Sequence, residues 1–127
     1  MSTYGLLAGA IACEVVATLS LRAADGFSKL VPSVIVVIGY ASAFALLGFA
    51  LQRGLDVGVG YAIWSAVGTT VVALLGVLLF REALSLMAIA GIALIVGGVV
   101  LVELGHRNQE SAAEHSEPTA AIVVDER

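Results

Sequence analysis

The sequence predicts an all-α membrane protein with four transmembrane helices. Two observations carry that class. The chain of 127 residues is 60% hydrophobic and only 13% charged, and its mean hydropathy is +1.04. A water-soluble domain of this length cannot cover so much apolar surface. The apolar residues also fall into four runs, each close to the ~20 residues that a helix needs to cross a bilayer core.

The first run spans Thr3 to Leu21 and is interrupted by one charged residue, Glu14. The second starts near Pro32 and Ser33 and ends near Gln52. Pro32 suits the first turn of a helix, where its missing N–H costs nothing. The third runs from about Gly58 to Phe80, and the fourth from about Leu84 to Leu104. The connections Arg22–Val31, Arg53–Val57 and Arg81–Ala83 are short, so successive spans must be antiparallel. Residues 1–105 therefore read as one four-helix transmembrane domain. Residues 106–127 are polar and carry Glu110, Glu114, Glu117, Asp125 and Glu126. They read as a disordered acidic tail.

The same inventory excludes several function classes. The net charge of −4 reflects the acidic C-terminus, and no basic stripe points to nucleic acid. The single cysteine, Cys13, rules out an intrachain disulfide framework and reads as a small packing residue. No basic region precedes the first run, which argues against a secretory signal. There is no Gly-rich Lys-Ser/Thr motif for ATP. Neither a metal, a cofactor nor an enzymatic reaction is expected.

Glu14 lies slightly past the middle of its span. Asp at such a depth costs roughly 2.5–3.5 kcal/mol on insertion scales, so an intramembrane carboxylate normally faces a bundle interior or a water-filled cavity. Snorkelling is a poor alternative, because Glu14 is about two turns from either end of the run at ~1.5 Å per residue. Leu7, Ala10, Ile11, Ala17, Thr18 and Leu21 share its helix face. Most are small or moderate, and a small Ala17 is expected to leave room for bulky ligands. Span two offers Tyr40, Ser42 and Phe44; span three offers Tyr61, Trp64, Ser65, Thr69 and Thr70. Aromatic faces around an anion suit a lipophilic cation. Tyr61, near a span end, also fits an interfacial belt, whereas Trp64 is too deep for one.

Charge bias leaves the orientation open. Arg22, Lys29 and Arg81 fall on one side; Arg53 and Arg107 fall on the other, with Arg127 far out on the tail. Insertion in both orientations is one outcome of so small a bias. Gly91 and Gly98 lie seven residues apart on one face of span four, with Gly97 beside them, and such a face lets two membrane helices approach closely. Gly5, Gly9 and Cys13 form a similar ridge on span one. Packing within one chain is the alternative for both.

These residues resemble the small multidrug resistance family over about residues 3 to 105. The resemblance rests on Ala10-Ile11-Ala12-Cys13-Glu14-Val15, on Gly26-Phe27-Ser28-Lys29-Leu30 before Pro32-Ser33, on Tyr61-Ala62-Ile63-Trp64-Ser65, and on Gly91 with Gly98. It implies a multi-pass protein of the inner (plasma) membrane that exchanges protons for lipophilic organic cations. It further implies an antiparallel homodimer of dual topology, or a heterodimer with a paralogue. Glu14 of each subunit would bind proton or substrate in turn. Tyr40, Tyr61 and Trp64 would line the cavity, and Gly91 and Gly98 would make the dimer contact; the helix faces and mid-span positions add Ala10, Ile11, Thr18, Phe44 and Ser65 as cavity candidates.

Guanidinium exporters of this family resemble Glu-Val-Val-Trp at the acid. Here Glu14-Val15-Val16-Ala17 and Trp64-Ser65 look like the quaternary-ammonium branch. The chain departs from that branch at Ala66-Val67-Gly68, where Gly-Val-Gly is common. It departs also at Asp56-Val57-Gly58-Val59-Gly60, which lacks the usual proline, and at Ala43, where the family has a serine. Two carboxyl groups sharing one cavity titrate as a pair. Protons and cations competing for them would couple the two fluxes. A guanidinium or polyamine exporter, a proton-carrying ring subunit and a non-transporting membrane assembly subunit are the rival readings. The ring subunit typically needs two spans, and the assembly subunit gives Glu14 no task.

Overall fold

A computed structural model describes residues 2–125, with side chains through residue 115. Helix α1 runs Thr3–Ala23, α2 Leu30–Gln52, α3 Val57–Phe80 and α4 Leu86–Asp125. All four are long and apolar enough to cross a membrane. The expected bounds of the first three spans and the expected start of the fourth hold to within a few residues. Ser2 caps α1, its Oγ accepting from the Gly5 N–H at 3.1 Å. The chain then reverses through Asp25, Gly26 and Phe27, all at positive φ. Ser85 opens α4, accepting the Ala88 N–H at 3.1 Å.

The fourth helix differs from expectation at its far end. The segment read as a disordered tail continues the helix through Asp125. Gln109, Glu110, Ala112, Ala113 and Glu114 are good helix formers. They extend a helix that already exists, so the unfavourable nucleation step does not recur. Glu126 and Arg127 lie outside the described residues.

Helix α1 packs chiefly on α2 and less on α3, while α3 is the one described helix that α4 packs against. Gly39 makes the α1–α2 approach possible. A Cβ there would stand 2.8 Å from the Ala17 Cβ and 3.2 Å from the Cys13 carbonyl oxygen. Gly9 likewise meets Leu46 of α2, so the small ridge of span one serves packing within the chain. Ala17 is fully buried at this contact. That corrects the expectation that its size leaves space for a ligand: the small side chain is used to bring two helices together.

The core is small. Leu7, Ala10, Leu47 and Trp64 form it, with Ile11, Leu46, Leu51, Leu55 and Ile63 around them. Its three contributing helices, α1, α2 and α3, enclose one side of the bundle. Helix α4 is bare by comparison, with Leu86, Met87, Leu94 and Leu101 exposed. A Cβ built on Gly91, Gly97 or Gly98 would meet nothing within 4 Å. One polar contact fastens the far end of its membrane span. His106 Nε2 lies 2.8 Å from Asp56 Oδ2 in the α2–α3 linker and 3.5 Å from Glu110 Oε1. Asp56 makes no side-chain cap to α3, because its carboxylate is turned to His106 instead.

Candidate functional site

Glu14 sits half-buried on α1 with its carboxylate against α3. The contact is Gly68. A Cβ at Gly68 would fall on Glu14 Oε2 and stand 3.2 Å from Cδ. Oε2 is buried and has no hydrogen-bond partner among the described residues. An unpaired carboxylate oxygen in apolar surroundings is costly.

One turn further along α1, the hydroxyls of Thr18 and Tyr40 hydrogen-bond at 2.9 Å. This bond joins α1 to α2 on the same stripe of α1 as Glu14. On the side toward α3, Ala10 is fully buried against Leu7, Leu47 and Trp64, and Ile11 packs on that cluster. Both residues lie one turn before Glu14 on its own helix face.

The aromatic group is assembled around Trp64. Its ring meets Phe44 edge-on at 5.3 Å and Tyr61 edge-on at 5.4 Å. Such T-shaped pairs are favourable because ring edges are positive and faces negative. Trp64 is only 6% exposed, whereas Phe44 and Tyr61 are 55% and 56% exposed. The accessible rings are therefore Phe44 and Tyr61, with Trp64 supporting both from behind. The Trp64 indole N–H is buried without a hydrogen-bond partner among the described residues. The site thus holds one orphaned acceptor and one orphaned donor. Ser65 is occupied locally, its Oγ donating to the Ala62 carbonyl at 3.2 Å.

The structure brings Glu14, Ala10, Ile11 and Trp64 onto the inner α1–α3 side, and ties Thr18 to Tyr40 beside them. Gly91 and Gly98 stand apart, on the exposed fourth helix. Gly68 is the residue that sequence reasoning undervalued, seeing it only as the last residue of Ala66-Val67-Gly68. Its spacing contains the signal: it lies four residues after Trp64, on the same face of α3. A separate groove of about 400 Å3 is lined by Ala12, Cys13, Val16, Ile35, Ile38, Gly39 and Ser42. It is almost wholly apolar and lies on the face of α1 opposite Glu14, since residues two apart on a helix point roughly opposite ways.

Known proteins share this chain's pattern. The profile of the family described as Small Multidrug Resistance protein matches residues 2–95. A multidrug transporter of Pseudomonas aeruginosa is 47% identical over 107 residues, covering 84% of this chain and 96% of the relative. The multidrug resistance protein mmr of Mycolicibacterium paratuberculosis is 44% identical over 102 residues, covering 80% of this chain and 95% of the relative. The quaternary ammonium compound-resistance protein QacE of Escherichia coli is 40% identical over 104 residues, covering 82% and 94% respectively.

Proposed function

The chain belongs to the small multidrug resistance family, as a multi-pass multidrug transporter of the cell membrane, and on that premise we propose that it is a proton-coupled antiporter exporting lipophilic and quaternary ammonium cations. The carrying observation is Glu14: a mid-span carboxylate with a buried oxygen that no group among the described residues satisfies. A proton neutralises it, and an organic cation pairs with it. Both cannot do so at once, so loading one expels the other. The protonated carboxyl returns down the proton gradient, and the cation moves out against its own.

The cation class follows from the surroundings. Phe44 and Tyr61 offer exposed rings braced by Trp64, and ring faces attract cations without demanding directional hydrogen bonds. A bulky, weakly hydrated cation suits such a site. The similarity to a relative named for quaternary ammonium resistance favours the same class. The exposed rings of a single chain leave the site open on one side. A second copy with opposite orientation would close it and supply a second Glu14. The unoccupied space at Gly91 and Gly98 supports their role in that contact, since small residues admit a partner helix. Residues 1–105 form the transport unit, and residues 106–127 lie outside it.

The test is uptake by vesicles containing this protein alone. An outward-directed proton gradient should concentrate a quaternary ammonium dye inside, and collapsing the gradient should release it. Dye that only equilibrates would sink the coupling. Guanidinium accumulation without dye competition would move the chain to the rival branch.

A further inference from the structure

A groove between α1 and α3 ends in a charged cluster that the central site does not use. Arg22, in the last turn of α1, lays its guanidinium over the Phe80 ring, 4.1 Å from the centroid. The same guanidinium pairs with the Glu82 carboxylate. Thr18, Leu19, Val72 and Gly76 line the remainder of this groove of about 180 Å3. The backbone builds the cluster. Arg81 ends α3 in the left-handed conformation, at φ 56°. The chain turns back, and the Glu82 N–H donates to the Gly76 carbonyl at 3.4 Å. Glu82 Oε2 then lies 2.8 Å from the place of a Gly76 Cβ, so glycine leaves the carboxylate room to rest against α3.

A ring face beside a carboxylate is a receptor for an organic cation. In this groove the chain fills that receptor with a cation of its own. The groove also adjoins the central site. Glu14, Thr18 and Arg22 recur every four residues along one face of α1, a rise of about 12 Å, and Thr18 belongs to both places. We propose that Phe80 and Glu82 form an outer subsite for the transported lipophilic cation, with Arg22 as a built-in competitor that the cargo displaces. This rests on the cargo being such a cation. Arg22 and Glu82 are both about half exposed, and exposed ion pairs hold weakly. The subsite therefore passes cargo to and from Glu14 without retaining it.

The alternative is a plain ion pair that ties α1 to the α3–α4 linker, and the two differ in sign. The test uses the full chain carrying Glu14→Gln in lipid nanodiscs, titrated with ethidium by fluorescence anisotropy. Residual weak binding is expected. Arg22→Gln should tighten it and Glu82→Gln should weaken it, each about two- to fivefold. Phe80→Leu should weaken it similarly without any change of charge, which separates ring recognition from general electrostatics. Arg81→Asn removes one positive charge next to the cluster and tolerates the left-handed conformation; it should leave binding unchanged. Helicity by circular dichroism should match across the set. Shifts of the same sign for Arg22→Gln and Glu82→Gln would overturn the subsite. So would an Arg81→Asn shift equal to that of Arg22→Gln, or a complete lack of residual binding. Failure of the transport reading looks different: the unmutated chain would not bind ethidium, which overturns the subsite too, or its binding would be indifferent to Glu14→Gln.

Discussion

Gly68 on α3 makes the room in which Glu14 on α1 holds its carboxylate. A side chain at Gly68 would begin where Glu14 Oε2 now lies. The obstructed group is the end of a flexible side chain, so the carboxylate would yield before the helices did. Gly68→Ala should therefore leave a folded, inserted protein with a displaced Glu14. An off-rotamer side chain costs about 0.5–1.5 kcal/mol, so cation affinity should fall by up to about tenfold. Equilibrium dye binding, read beside thermal stability in detergent, checks this. A loss of stability with unchanged affinity would place the contact in packing alone.

Glu14→Gln should abolish both proton-driven transport and cation-linked proton release, because an amide neither titrates nor pairs with a cation. Competition also sets the sign of the pH effect. Cation binding requires the ionised carboxylate, so affinity should rise with pH across the titration of Glu14, by about tenfold per unit for each proton displaced. It should become flat above that range. Glu14→Asp should keep the dependence but move it along the pH axis. Isothermal titration in two buffers of different ionisation heat counts the protons. A pH-dependent Gln variant would assign the coupling elsewhere. Glu103, near a membrane boundary with Arg107 Nε at 3.5 Å, should be neutralised with little effect on transport.

The aromatic residues should separate by depth. Phe44 and Tyr61 are exposed, whereas Trp64 is buried with Leu7, Ala10 and Leu47. Truncating a buried aromatic typically costs about 3–5 kcal/mol, so Trp64→Ala should lower stability and binding together. Phe44→Leu and Tyr61→Leu keep apolar bulk and remove only the ring. Each should weaken aromatic-cation binding by about two- to fivefold with stability preserved. Proton release on titration of the empty protein should not change. Competition binding and thermal melts on the same samples distinguish these outcomes.

The spans were legible because membrane crossing constrains composition over some twenty residues at a time. Glu14 was legible because a lone charge at that depth demands an explanation. Ala17 was misread, since small size serves a helix contact as well as a cavity, and only the position of Gly39 decides between them. The burial of Trp64 behind Phe44 and Tyr61 depends on how three helices rotate against one another, which no single-helix pattern contains. Arg22 and Glu82 fall in two different connections of the sequence, Arg22–Val31 and Arg81–Ala83, and neither pattern pairs them. They meet because α1 and α3 end at the same side of the membrane and Arg81 turns the chain back. The acidic segment read as a tail, because polar composition outweighed its helix-forming residues and its continuity with α4.

The fourth helix offers the last test. Gly91 and Gly98 lie on one face of α4, and a Cβ at either would meet nothing within 4 Å among the described residues. Substitution there costs nothing in the isolated subunit beyond the helix backbone itself, and glycine is a poor helix former. Gly91→Val and Gly98→Val should therefore leave each chain inserted and stable. If these positions meet a second copy, the branched side chain holds the helices apart, and the dimer should give way to monomer with loss of transport. Mass measurement in nanodiscs reads the first effect and vesicle uptake the second. Orientation can be read on the same chain with Cys13→Ala and a new cysteine in the linker 53–57. Arg22, Lys29 and Arg81 lie toward one membrane face, Arg53 and Arg107 toward the other, a bias too small to choose a side. An impermeant thiol reagent should label about half the chains from each face, as so even a charge balance implies. Near-complete labelling from one face would rule out the antiparallel pair. A parallel dimer, or an oppositely oriented paralogue, would then have to supply the second carboxylate.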